Sequence, residues 1–347
     1  MVKLSQIFFQ FQTFAFVFVI IIWSLSACKS NNPCKERVTY ANILTNNHLN
    51  VDSLLTPPDS LEIKALLSLW KNQKYSSDSA KVIKHTTFKL SRKLQIIEQF
   101  YGGQKHYGAV ILPKNYDPGK KFPALLWADG LNQQDPVVNL NRNFIVSQLV
   151  GGLENHFILI PSFRGQALKV GIAYYCSDGF FGDAFDGATS DALYFLNQAL
   201  ELNTNIDHSR IAIYGVSRGG NIALLAAARF PGFSFAIAQS PPTDFIQTDA
   251  YQRHTLQFKY QFLSHPLSPE VIRNKLIASS PVYFIHHIKC PILLIHGKRD
   301  KICPVSHSTR IIDELKDSPS FEFKLMDEGH LLNEAPYVLR KIKARHQ

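Results

Sequence analysis

Little in this sequence speaks for metal, nucleotide or nucleic-acid chemistry. Its 347 residues hold five cysteines and no C-x-x-C pair, so a structural zinc site has no ligand frame. No glycine-rich phosphate loop and no dinucleotide fingerprint occurs, and no metal and no cofactor is expected. The net charge is +10, yet lysine and arginine are dispersed and form no dense basic run. That pattern fits a solvated surface with a bias toward anionic surfaces better than a nucleic-acid groove, so no nucleic-acid partner is expected. Cys290 and Cys303 flank a strand expected at 291–296, which at about 3.3 Å per residue holds them too far apart for a disulfide. With Cys28 set aside for the reason below, Cys34, Cys176, Cys290 and Cys303 are all expected to be buried, inert thiols.

What is present is an ordinary globular composition, 46% hydrophobic and 18% charged, in a length that one α/β domain can absorb. The N-terminal stretch stands apart from it. Lys3 supplies a positive start, residues 14–25 are almost continuously apolar, and the run closes on Leu25-Ser26-Ala27-Cys28. Small residues directly before a cysteine resemble the lipobox of bacterial lipoproteins. The resemblance implies removal of residues 1–27, lipidation of Cys28 and a domain tethered to a membrane of the cell envelope. The competing reading is an uncleaved membrane helix over 7–27 that tolerates Gln10 and Gln12. Both readings anchor the rest of the chain outside the cytoplasm.

Residues 28–80 read as a polar tether followed by a short helix at 61–70, and residues 81–347 as the main domain. Period-two patterns at 87–90, 95–101 and 106–112 indicate antiparallel strands, with Gly102-Gly103 turning the second pair. Strands and helices then alternate: strands at 122–128, 156–160, 211–214, 234–238, 291–296 and 321–326, and helices at 139–149, 183–202, after Ser217, 306–316 and 331–345. Residues 243–287 hold no strand pattern and several helical stretches, which suggests a helical, cap-like insertion over the site. The expected architecture is α/β, a mostly parallel, doubly wound sheet of the eight-stranded type with antiparallel N-terminal strands. Ligands of such sheets bind beyond the carboxyl ends of the strands.

One stretch organises the rest. In Arg210 to Phe230 an apolar strand, Ile211-Ala212-Ile213-Tyr214, meets a helix of strong formers through Gly215-Val216-Ser217-Arg218-Gly219. This is G-x-S-x-G in a strand–turn–helix setting, where small residues let the chain turn sharply and expose the Ser217 hydroxyl. A serine hydroxyl is a poor nucleophile at neutral pH and needs a base, and the base needs an orienting acid. Both are found downstream: Asp300 ends the turn after the strand in ILLIHGKRD, and His330 follows the next strand in DEGH. Asp327 and Glu328 are the alternative acids, although their adjacency to His330 fits loop solvation better.

On these segments, with Arg164-Gly165 and Asp191, the chain resembles the α/β-hydrolase superfamily over residues 95–345, and within it the prolyl oligopeptidase family. The resemblance implies Ser217 as nucleophile, His330 as base and then acid, and Asp300 as orienter. It implies an oxyanion hole built from the backbone N–H of Arg218 and that of Leu131, with Gly130 second. Relatives place His-Gly where this chain has Asp129-Gly130. A carboxylate there weakens oxyanion binding unless it turns away to cap backbone groups. Peptidases of the family carry an N-terminal β-propeller, which about 60 residues cannot build. The implied partner is therefore a small peptide or ester substrate. A carboxylesterase acting on acylated carbohydrates, an acyltransferase and a catalytically silent binding lipoprotein are the competing functions. His286-His287 reads as structural, and the aromatics Trp127, Phe163, Tyr174, Tyr175, Phe180 and Phe181 as core more than pocket wall.

Overall fold

The computed structural model describes residues 33–34, 49–132, 135–264 and 267–347. The apolar N-terminal run and Cys28 lie outside the described residues. No helix among the described residues is long and apolar enough to cross a membrane.

Nine strands form one sheet in the order β1-β2-β3-β6-β4-β9-β10-β11-β12. They are β1 (Ser79–Thr87), β2 (Lys93–Tyr101), β3 (Gln104–Ile111), β4 (Phe122–Ala128), β6 (Phe157–Ser162), β9 (Ile206–Val216), β10 (Phe235–Gln239), β11 (Ile292–Gly297) and β12 (Phe321–Met326). The first three pair antiparallel with one another, β3 pairs antiparallel with β6, and every pairing from β6 onward is parallel. The sheet thus has the expected mixed character with one strand more than the eight-stranded type. β4, β6 and β10 are buried along their whole length, as strands covered on both faces must be. One face packs against α3 (Asp186–Leu202) and α4 (Arg218–Arg229), with α1 (Ser60–Asn72) laid against α4 through Trp70 and Arg229, and the other face packs against α2 (Phe144–Gly152) and α6 (Ala335–His346).

The first strand is displaced from its expected place. Of residues 87–90 only Thr87 is in a strand, as the last residue of β1, and Lys89–Ser91 is a short 3-10 turn with Leu90 and Ser91 at φ 55° and 57°. The cause is the next residue. Arg92 is buried, and its guanidinium donates to the carbonyls of Leu112, Val150 and Leu153 at 2.7, 3.0 and 3.1 Å, closing the C-terminal end of α2. The chain must turn to deliver it. β1 itself is a mostly exposed edge strand, so its apolar alternation is faint.

A second sheet of three short strands, β5 (Val137–Asn139), β7 (Ala167–Val170) and β8 (Ala173–Cys176), lies beside the first and carried no strand signal in the sequence. It takes the residues expected to begin a helix at 139, so that α2 starts at Phe144, capped by the Asn143 side chain. Cys176 at the end of β8 forms a disulfide with Cys34, Cα to Cα 5.4 Å. Two of the four cysteines expected as inert thiols are therefore a crosslink across 142 residues of sequence, which spacing along the chain does not betray. Cys290 and Cys303 are buried thiols.

Helix α1 is docked on the body of the protein. Trp70 packs on Phe284 at 4.4 Å, and Arg273 of α5 (Pro269–Ala278) pairs with Glu62 at 2.9 Å, so α1 and the helical segment after β10 share one apolar cluster. Asp191 of α3 ties that face to the sheet. Its carboxylate takes the Arg164 backbone N–H at 2.8 Å, the Arg164 guanidinium at 2.7 Å and the Tyr101 hydroxyl at 2.6 Å. Arg164 and Asp191 thus act together in the framework.

Candidate active site

The strand register brings five carboxyl ends to one edge of the sheet. Ala128 lies opposite Gly215, Val216 opposite Gln239, Gln239 opposite Ile295, and Gly297 opposite Met326. Each sequence-derived site residue follows one of those ends.

Ser217 joins β9 to α4 in a left-handed conformation, φ 56° and ψ −120°, a strain that a folded framework must impose on a non-glycine residue. The framework is tight. A Cβ on Gly215 would sit 2.0 Å from the carbonyl oxygen of Gly219, and one on Gly219 would sit 1.9 Å from that of Ala128. Both glycines are needed for close approach, as the G-x-S-x-G reading requires. The Ser217 N–H is held by the Gln239 carbonyl at 2.8 Å, and its side chain opens into a cavity of about 930 Å³.

His330, in the turn after β12, lines the same cavity. Its Nδ1 is 2.7 Å from Oδ2 of Asp300, which closes the turn after β11. The Asp300 side chain is fully buried. Burial alone would raise its pKa, but hydrogen bonds from His296, His330 and the Cys303 N–H outweigh this and hold the carboxyl below the usual carboxylate range. The other oxygen accepts the N–H groups of Ile302 and Cys303 at 2.9 and 2.8 Å, which fixes the carboxylate plane. His296 was not singled out by sequence, since it sits in an apolar strand whose periodicity hides it. Its Nε2 lies 2.8 Å from the Cys303 carbonyl and 3.4 Å from Asp300, and its Nδ1 meets the Ser308 hydroxyl at 2.6 Å. Ser240 supports the other partner by donating to the His330 carbonyl at 3.1 Å. Asp327, the alternative acid, faces solvent and pairs with Arg299 at 3.3 Å.

Gly130 and Leu131 follow β4 and line the cavity beside Ser217. Asp129 turns toward Asn143, whose Nδ2 donates to its carboxylate at 3.0 Å. Burial raises the Asp129 pKa, with Arg218, Asn143 and the Gly130 N–H acting the other way. The Arg218 side chain is almost fully buried behind this loop. It donates from Nη2 to the carbonyls of Gly130 at 2.8 Å and Asp129 at 3.2 Å, and its face lies 4.8 Å from the Phe163 ring centre. Burial lowers its pKa to about 10, so it stays charged at neutral pH. The sequence offered Arg218 only as a backbone donor; nothing in local pattern foretells where its side chain goes.

The cavity wall is otherwise apolar and amide-rich. Residues 243–287 contribute Phe245, Arg253, His254, Gln257, Phe258 and Gln261 to it. Of the six aromatics named from sequence only Trp127 lines it, while Phe163 and Phe181 are core. His286 pairs with Glu314 at 3.0 Å near the surface, and no group of three or more metal-ligating side chains gathers among the described residues.

The family model for the prolyl oligopeptidase family matches residues 183–345. Dipeptidyl-peptidase 5 of Porphyromonas gingivalis is 24% identical over 226 residues, 64% of this chain and 32% of its own length. The uncharacterized peptidase YtmA of Bacillus subtilis is 23% identical over 175 residues, 48% of this chain and 67% of its own. This chain therefore spans about a third of the first relative and two thirds of the second. Among solved structures, acetyl xylan esterase 1 from Thermoanaerobacterium sp. superposes with a TM-score of 0.63 at 16% identity, covering 86% of this chain and 99% of that one. The chain has the α/β-hydrolase fold, and its segment 183–345, which carries Ser217, Asp300 and His330, matches the prolyl oligopeptidase family.

Proposed function

We propose that the protein is a serine hydrolase that cleaves ester or peptide bonds of small substrates, with Ser217 as nucleophile, His330 as general base and then acid, and Asp300 as orienter. The observation that carries the reading is the 2.7 Å bond between His330 Nδ1 and a buried, ionised Asp300, on the cavity into which the strained Ser217 turn opens. That bond leaves His330 Nε2 as the acceptor for the serine proton. Ser217 Oγ attacks the acyl carbon as His330 takes its proton. The oxyanion forms against the N–H groups of Arg218 and Leu131; the Gly130 N–H, the alternative to Leu131, is drawn to the Asp129 carboxylate. His330 then protonates the departing alcohol or amine, leaving an ester on Ser217. Water attacks that ester, gives its proton to His330, and the acid leaves as the proton returns to Ser217.

A carboxylesterase acting on acylated carbohydrates is the second reading, favoured by the superposition along 99% of an acetyl xylan esterase. Residues 28–80 as tether and helix, 81–347 as catalytic domain and 243–287 as a partial cap are part of the same proposal. So is a Cys28 lipid anchor on the cell envelope, for which the Cys34–Cys176 disulfide is the supporting observation, since such bonds persist in oxidising compartments. Matched ester and amide substrates test the reading. Ester turnover that disappears in Ser217→Ala is the expected result, and unchanged turnover in that variant would overturn it. Amide cleavage as fast as ester cleavage would point to a dedicated peptidase, because an amine is the harder leaving group.

A further inference from the structure

The wall of the cavity carries an unequal set of charges. Among the described residues its one lining carboxylate is Asp129, which is bonded to Asn143 and stands beside Arg218. Four acids on the surrounding elements are engaged elsewhere: Asp300 with His330, Asp244 with Arg310 and the Tyr283 hydroxyl, Asp186 with Arg229, and Asp327 with Arg299. Asp135, between the lining residues Asn132 and Val137, has a buried carboxylate oxygen without a partner among the described residues and does not itself line the cavity. Of the cationic side chains, Arg218 is buried on backbone carbonyls. That leaves Arg142, in the turn between β5 and α2, and Arg253, the last residue of the helix Thr248–Arg253. Both line the cavity, both are exposed, and neither is in an ion pair among the described residues. They come from separate segments of the chain, one from the loop before α2 and one from the 243–287 segment, so the cavity is cationic from two of its walls.

The remaining wall is apolar. Phe185, Phe245 and Phe258 line the interior, while Phe144 and Leu331, 64% and 80% exposed, stand at the rim. A volume near 930 Å³ suits a ligand much larger than an acetyl group. Exposed phenylalanine and leucine beside two exposed guanidinium groups match a ligand that is part apolar and part anionic. A guanidinium presents paired N–H donors in the spacing of a carboxylate, and the pairing strengthens as the substrate displaces water from around it.

We propose that this site selects substrates that carry a carboxylate, which Arg142 and Arg253 bind while the apolar body of the substrate packs on the phenylalanines. The inference rests on the hydrolase reading of Ser217, and it adds the substrate class. An exposed ion pair contributes little and a partly desolvated one more, so a carboxylate is expected to raise kcat/KM by about tenfold over an uncharged group of the same shape. The preference must shrink with added salt, because both guanidinium groups are open to solvent.

The test uses aryl esters matched in size and leaving group that bear a terminal carboxylate, carboxamide or trimethylammonium group on the acyl chain, and a parallel series with the same groups on the phenol. In the native protein the carboxylate member of at least one series should lead, with the trimethylammonium member last. The ratio of carboxylate to carboxamide should fall to near one in Arg142→Gln/Arg253→Gln and be kept in Arg142→Lys/Arg253→Lys, which preserves charge and guards against a folding defect. Equal turnover of the three charge forms in both series overturns the inference while leaving the hydrolase reading intact, as does an unchanged preference in the double glutamine variant. No turnover of any ester by the native protein overturns the hydrolase reading itself, and the substrate class with it.

Discussion

The Arg218 guanidinium grips the carbonyl oxygen of Gly130 at 2.8 Å from behind the loop that follows β4. Because a peptide unit is planar and trans, its C=O and N–H point in opposite directions. The Gly130 carbonyl shares its peptide unit with the Leu131 N–H, so holding that carbonyl toward Arg218 turns the Leu131 N–H away from it. In the mechanism proposed above, the residue after the serine serves the oxyanion twice, by its own N–H and by holding the Leu131 loop with its side chain.

From this follows a prediction about a positioning residue. Arg218→Gln should lower kcat by about ten- to a hundredfold, less than the loss from deleting a donor outright, while KM changes little. Arg218→Lys should recover part of the rate. Steady-state kinetics beside a melting curve checks it: an equal rise in KM with kcat unchanged would contradict the role, since that is the mark of lost ground-state binding.

Asp300→Asn should cut turnover by about 10⁴-fold with the fold retained, because the amide no longer accepts the Nδ1 proton and the histidine tautomer is mis-set. His296 gives a graded companion. Its ring lies 3.4 Å from the same carboxylate, so His296→Gln should impair turnover less than Asp300→Asn. Asp327→Asn, altering an exposed pair with Arg299, should leave kcat/KM near that of the native protein. Loss of activity in Asp327→Asn with normal activity in Asp300→Asn would reverse the assignment of the acid.

A third prediction concerns pH and stability. His156 and His346 meet in the interior, Nε2 to Nδ1 at 3.2 Å, with the Ser234 hydroxyl 3.0 Å from the far nitrogen of His346. Burial first, and positive neighbours second, lower their pKa values to about 3 and about 4. An exposed histidine in the unfolded chain titrates near ~6.5. The folded values lie below the unfolded one, so as pH falls from about 6.5 toward 4 the unfolded chain binds more protons and stability declines. The slope is roughly 1.4 kcal/mol per pH unit for each group. The melting temperature should fall through this window, and His346→Gln should flatten the fall whatever it does to stability at neutral pH. An unchanged slope in that variant would contradict the arrangement.

The parts of this molecule that sequence made legible are those where local pattern and burial agree. Phe122–Ala128 and Phe321–Met326 appear where their apolar runs placed them, because strands covered on both faces need unbroken apolar residues or a clear alternation. The Ser217 turn was legible for a steric reason, since only glycine fits where Gly215 and Gly219 approach neighbouring carbonyls. What stayed hidden depends on distant parts of the chain. The turn before Arg92 is dictated by carbonyls at 112, 150 and 153, the disulfide joins residues 142 apart, and the three-stranded sheet is built from strands too short to show a period. Arg142 and Arg253 belong to this class as well, since charges dispersed in the sequence come to face one cavity only after folding.

Covalent labelling reads directly whether Ser217 is a nucleophile activated by His330 and Asp300. A fluorophosphonate probe should modify the protein once, mass spectrometry of the digested adduct should place the label on Ser217, and labelling should be lost in Ser217→Ala and slowed severely in His330→Ala. A native protein that takes no label, or takes it on another residue with Ser217 untouched, would contradict the account.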